Sequence, residues 1–238
     1  NAAVETTTLA ISLLQVGQVA EAEALARRNL QRCEGLRAHQ ATGYARLSLG
    51  LILVRGAGPL PEARALLTAA LAQYQAVDHR RRIGLCHGYL ALLALREGRP
   101  EDAAESAAQA VEHLVGSGAF HTWALALHAD ALVSAGRAED AAPLAGRALA
   151  ELERAGGGPI FDLLPCAVQG ELLCQLGRRD EARDVVLAAL QRLRGRCLRM
   201  TRPAWRASYL AQPEQQRLLR LAEQLCPQAL LEAQLGEA

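Results

Sequence analysis

His121 and His128 come nearest to a metal-binding pair. Seven residues apart, they share one face of a helix, and a third ligand from a neighbouring helix would complete a zinc-like set. The other reading is that they are packing or surface groups on an alanine-rich helix, since no further ligand stands at metal spacing. Cys33, Cys86, Cys166, Cys174, Cys197 and Cys226 include no C-x-x-C pair and fall in apolar, helix-like segments. That pattern points to six reduced thiols, as expected of a cytoplasmic protein. Cys166 and Cys174 sit eight apart on one expected helix, with no adjacent base or cation to lower a thiol pKa. The run Gly156, Gly157, Gly158, Pro159 lacks the lysine and hydroxyl of a nucleotide loop and reads as a connection. No phosphate loop, zinc helix, nucleophile elbow or calcium loop occurs. These residues therefore indicate no enzyme, no cofactor and no metal.

The one concentrated charge is basic. From Val185 to Pro213 there is no acid, while Arg192, Arg194, Arg196, Arg199, Arg202 and Arg206 all fall within it. Such a stretch could hold an acidic segment or a phosphate backbone, or form a solvated rim facing an acidic domain. Only Trp205 stands among these arginines, so an interleaved series of aromatics able to stack bases is missing, which disfavours nucleic acid. The whole chain carries a formal charge of only +1, so it has no global attraction to nucleic acid or to an anionic membrane. No apolar stretch approaches the ~20 residues of a membrane span, and no signal peptide is visible. Asn1 stands where an initiating methionine would, as in an excised fragment.

The elements that must position these residues are helices. Alanine (48) and leucine (43) fill 91 of 238 positions, whereas valine and isoleucine total 15 and aromatics 3%. Such a composition favours helix and offers little from which to build strands. A repeat then fixes the architecture. Glycine, followed four residues later by an acid and then alanine, recurs at Gly17/Glu21/Ala22, Gly58/Glu62/Ala63, Gly98/Asp102/Ala103, Gly136/Asp140/Ala141 and Gly177/Glu181/Ala182. The alanines are 41, 40, 38 and 41 residues apart. Each glycine is expected to end one helix in the left-handed conformation, and each acid to sit on the positive end of the next helix. Small residues seven before the glycine (Ala10, Ala91, Ala129, Gly170) let antiparallel helices cross closely. In the second repeat, an insertion at Gly56 and Ala57 would shift that slot to Leu49 or Gly50. Five stacked hairpins result, each unable to bury its apolar face alone.

The G-x-x-E-A…A-L pattern, as in Gly136 to Leu152, resembles the second half of the tetratricopeptide (TPR) repeat. The period is nearer 40 than 34, and leucine replaces most first-helix aromatics, so the chain is more similar to the longer-helix TPR-like arrays of bacterial regulators. The resemblance implies an all-α solenoid, a right-handed superhelix of about five antiparallel hairpins, whose first helices line a concave groove that binds proteins. Counting back six residues from each turn glycine then gives Ile11, Ile52, Leu92, Asp130 and Glu171 as groove residues. Counting back two or three adds Gln15, Arg55, Arg96, Ser134 and Gln175, with Trp123 nearby. Family members that clamp a peptide carboxylate use asparagine and lysine here, and this chain has neither at these positions. The apolar residues are either core, buried by tight curvature, or a strip for an amphipathic segment, with Arg55 and Arg96 meeting its acids and Asp130 and Glu171 its bases.

After Arg194 the repeat stops, and two proline-led helices are expected at about Pro203–Leu210 and Pro213–Leu225, with Pro227 closing the second. Trp205 and Tyr209, spaced i, i+4, would seal the last hairpin. The string Arg206-x-Ser208-Tyr209-Leu210…Leu218-Leu219-x-Leu221-Ala222 also resembles the tail of the arrays that end large bacterial ATPase-containing regulators. The expected organisation is a single TPR-like domain, residues 1–238, with repeats over 4–194 and capping helices and tail over 195–238. The expected role is a non-catalytic scaffold or sensor module of a bacterial cytoplasmic regulator, whose partner is a peptide segment, a protein or another domain of its own polypeptide. A stand-alone adaptor, a homo-oligomer and a nucleic-acid binder using Arg192–Arg206 remain alternatives.

Overall fold

A computed structural model describes residues 2–56, 58–157 and 162–233. Ala57 of the expected insertion and Gly158 and Pro159 of the glycine run lie outside the described residues. The described residues form helices joined by turns, with no strand among them. Five antiparallel hairpins follow in order: α1 (Ala2–Gln15) with α2 (Val19–Gly35), α3 (His39–Arg55) with α4 (Leu60–Gln75), α5 (Arg80–Arg96) with α6 (Pro100–Leu114), α7 (Ala119–Ser134) with α8 (Ala138–Arg154), and α9 (Leu163–Gln175) with α10 (Arg179–Arg199). The tail adds α11 (Pro203–Leu210), α12 (Pro213–Leu225) and α13 (Pro227–Glu232). Pro227 therefore opens a short helix rather than only closing α12, as suits a residue whose missing N–H is not needed in a first turn. Helix α10 runs five residues past the last repeat-like position, to Arg199.

From α1 to α10 each helix packs on its neighbours in sequence, and the odd-numbered helices of adjacent hairpins also touch one another, forming the inner layer. The repeat alanines explain the close approach. Ala22, Ala63, Ala103, Ala141 and Ala182 are all fully buried, as are Ala10, Ala91 and Ala129 opposite them. In the second hairpin Gly50 takes the small slot: a Cβ there would come within 2.7 Å of Leu67.

Four of the five hairpin turns close as expected. Gly17, Gly98, Gly136 and Gly177 have φ between 70° and 80°, and the next N–H returns to the carbonyl five residues back, as from Gln18 to Leu13 at 2.9 Å and from Arg137 to Leu132 at 2.8 Å. The second turn departs from this: Gly58 is not left-handed, and Gly56 is extended (φ −93°, ψ −163°). The carbonyls orphaned at the end of α3 are met from outside instead. Arg96 of α5 donates Nη1 to the carbonyls of Val54 and Gly56, the latter at 2.6 Å.

The first four hairpins and one side of α9, Leu164, Val168 and Leu172, share one apolar core. A second core surrounds α9 and α10, and it is completed by Tyr209 from α11 and by Leu218, Leu221 and Ala222 from α12. Trp205, expected to join that seal, is half-exposed, with Arg202 stacked 4.6 Å from its ring centroid. The apolar seal comes from α12, because its i, i+3, i+4 leucines present a continuous stripe that an eight-residue α11 cannot.

Candidate functional site: a groove that holds the chain's own tail

The inner layer brings Arg55 (end of α3), Asp130 (α7) and Glu171 (α9) to one side of the groove, and α12 lies against them. Glu214 in the first turn of α12 is gripped by both terminal nitrogens of Arg55, with Nη2–Oε2 at 2.7 Å. Arg55 Nη2 also donates to Gln212 Oε1 at 3.1 Å. One turn along the same face, Arg217 forks between two acids. Its Nη1 and Nη2 donate to Asp130 at 2.9 and 2.7 Å, while Nε donates to Glu171 Oε1 at 3.0 Å and Nη2 to Glu171 Oε2. Bidentate guanidinium–carboxylate pairs of this kind fix orientation as well as adding energy.

The tail also reaches the opposite end of the array. Gln18 Nε2 donates to Ser208 Oγ at 2.9 Å, and Gln212 Nε2 donates to the Gln15 carbonyl at 2.8 Å. Contact at the first turn is so close that a Cβ on Gly17 would stand 2.2 Å from the Ser208 carbonyl oxygen. A cavity of about 180 Å³ remains between the tail, α1, α3 and the start of α9, bounded by Leu14, Leu51, Tyr209 and Gln215 among others.

Burial works to raise the Glu214 carboxyl pKa, yet Arg55 beside it and Arg217 beyond outweigh that and hold it below the usual carboxylate range. Arg217 is likewise desolvated, but its two carboxylates raise its pKa further above neutrality. Both tail charges are therefore ionised at neutral pH. Removing one member of such a partly buried pair leaves an uncompensated charge, at a cost of about 3–5 kcal/mol.

The residues expected in the groove thus divide. Arg55, Asp130 and Glu171 converge on α12, Arg55 meeting an acid and the other two a base. Ile11 is half-buried in the groove wall, and Leu92 packs half-buried against the core. Ile52 and Trp123 are 0% and 1% exposed and offer no surface to a partner. Neighbouring inner helices pack too closely for them to reach the groove, and Trp123 stands edge-on to Tyr89 at 5.7 Å. Arg96 is committed to the end of α3, and Gln175 is exposed at the end of α9. Sequence reasoning missed Gln18, Gln212, Glu214 and Arg217. One signal was available: the residue after the turn glycine is Arg99, Arg137 and Arg178 in the last three repeats, each paired with its own repeat acid, whereas the first repeat has Gln18, which is free to hold Ser208.

The remaining candidates are structural. His121 Nδ1 lies 2.9 Å from Glu151 Oε2, which also accepts from Thr122. Among the described residues no cluster of three metal-ligating side chains occurs. The fold does bring a cation to Cys166, with Arg192 Nη1 3.3 Å from its sulfur. Burial outweighs that cation, so the thiol is pushed up to about 11, and Cys86 is pushed up to about 12. The arginine stretch does not form one basic face. Arg196 pairs with Asp162 and donates to the Tyr209 hydroxyl, and Arg206, 7% exposed, donates to the Met200 carbonyl.

No family model matches the chain, and no curated protein matches it. Two solved structures of a kinesin-light-chain-type protein from Podosopora anserina, one a single-substitution variant, both built of nearly identical TPR-like repeats, superpose with TM-scores of 0.59 and 0.58 at 19% and 18% identity. Each covers 78% of this chain, and this chain covers 91% and 92% of them. With its five hairpins and layered inner helices, the chain has the fold of a TPR-like helical repeat array.

Proposed function

We propose that this array is a non-catalytic interaction scaffold whose groove binds a helical protein segment bearing an acid and, three residues on, a base. The observation that carries the reading is the docking of α12. Arg55, Asp130 and Glu171 already hold such a segment in cis, so an external partner would engage them in exchange for the tail. A bacterial cytoplasmic regulator, with the array reading a peptide or another domain of the same polypeptide, is the setting we favour. It is supported by the repeat length and by the tail string that resembles those regulators. The domain reading, residues 1–238 as one unit, rests on the tail's completion of the second core. A stand-alone adaptor would use the same groove, and a tail exchanged between two copies would give a dimer.

The test uses a labelled peptide of residues 203–226 added to the full chain. In the variant E214Q/R217A, whose own tail is loosened, the peptide should bind in the groove, and adding D130R/E171R should abolish uptake. Failure of the loosened protein to take up the peptide would show that α12 is only a structural cap.

A further inference from the structure

The other half of the groove, toward the N-terminal ends of the inner helices, is open and holds a pocket of about 380 Å³ that the tail does not line. Its walls include Tyr44, Leu85, Tyr89 and Phe120, and its charged side chains are Arg81 and Arg82, with His79 at the rim and no carboxylate in the lining. Both guanidiniums lie over aromatic rings: Arg82 is 3.8 Å from the Tyr44 centroid and Arg81 4.7 Å from the Phe120 centroid. A guanidinium over a ring face keeps N–H donors available for an anion.

Two further observations point to a missing anion. Ser48, 1% exposed, lines the pocket, and its hydroxyl has no hydrogen-bond partner, which costs free energy unless something else completes it. The second observation is the charge at the start of α5. None of the inner helices α3, α5, α7 and α9 carries an acid in its first turn, but α5 alone among them begins with three arginines, Arg80-Arg81-Arg82. Three cations on the positive end of a helix dipole destabilise that helix, and among the described residues no carboxylate pairs with Arg81 or Arg82. Cations clustered there without internal compensation are expected where a ligand supplies what is missing.

We infer that this pocket binds a small aromatic anion, a carboxylate or phosphate monoester on a planar body. The body lies among Tyr44, Tyr89 and Phe120, and the anion meets Arg81, Arg82 and Ser48. The volume falls at the lower end of the range for ligand pockets, and a mostly apolar lining with a few convergent polar groups is their usual make-up. The inference is independent of how the tail-filled half is used.

Isothermal titration of the full chain with 2-naphthoate, 1-naphthyl phosphate and the neutral 2-naphthylmethanol tests it. At least one acid should bind tenfold or more tightly than the alcohol, the stronger acid identifying the preferred anion. Arg81→Gln, at an exposed position, should remove that preference without lowering the melting temperature, and Ser48→Ala should weaken it. Acids that bind no better than the alcohol, or a preference that survives both Arg81→Gln and Arg82→Gln, would overturn the proposal. So would an acidic capped peptide binding at Arg81 where neither naphthyl acid does, since the site would then be part of a protein interface.

Discussion

Gly88 shows how a single missing Cβ shapes the inner layer. A methyl there would stand 2.4 Å from the Trp123 ring, and the indole, fully buried and edge-on to Tyr89, has nowhere to retreat. Gly88→Ala should therefore destabilise the chain by about 1–3 kcal/mol, as overpacking does, seen as a lower urea midpoint with the helical spectrum unchanged. The thiols give a second test at this scale. Burial raises Cys86 and Cys166 well above their ordinary pKa, so at pH 7.5 their thiolate fraction is very small and alkylation by iodoacetamide should be slow. Cys174, the half-exposed member of the six, should react first. Reduced core thiols were legible from their apolar neighbours. The Arg192 contact to Cys166 was not, because 26 residues of chain separate the two.

At the scale of elements, the repeat glycines and alanines made the hairpins legible, and the prolines marked the starts of α11 and α12. Where α12 docks was not legible. Glu214 and Arg217 find their partners 159 and 46 to 87 residues away, a pairing no local period encodes. The sequence nevertheless set out the groove's half of it, an arginine to meet an acid and two acids to meet a base. Arg217→Ala should leave Asp130 and Glu171 facing each other uncompensated and weaken docking by about 3–5 kcal/mol, read as faster amide exchange across α12 with α1–α8 unchanged. Deleting everything after Arg202 goes further, because it uncovers Leu163, Val186, Leu190 and Leu193, which the tail now covers. Burying such a side chain is worth about 1.5–3 kcal/mol, so the truncated protein should aggregate or melt well below the parent. A monomer that melts with the parent would make the tail a detachable strap.

For the whole molecule, the two kinds of cohesion predict that acid separates tail from array. The hairpins are held largely by alanine and leucine packing, which does not titrate, whereas the tail is fixed in the groove by carboxylates as well as by its apolar stripe. Glu214 has a folded pKa below its unfolded value. Its contribution is therefore fully present above the unfolded carboxylate pKa of about 4.3 and is lost as pH falls through the depressed folded value. Glu62 and Glu151, which tie α2 to α4 and α7 to α8, shift in the same direction, but each is backed by a continuous apolar interface. Below about pH 4 the first change should thus be release of α11 and α12, with rising proteolysis at Arg202 and Arg220 while far-ultraviolet circular dichroism holds nearly constant. Glu214→Gln removes the titrating group, so that variant should start with a looser tail at neutral pH and show a flatter acid profile. Simultaneous loss of tail protection and helix content, or an unchanged profile in Glu214→Gln, would mean that apolar packing of α12 against α9 and α10 alone holds the tail and that the charged contacts in the groove contribute little.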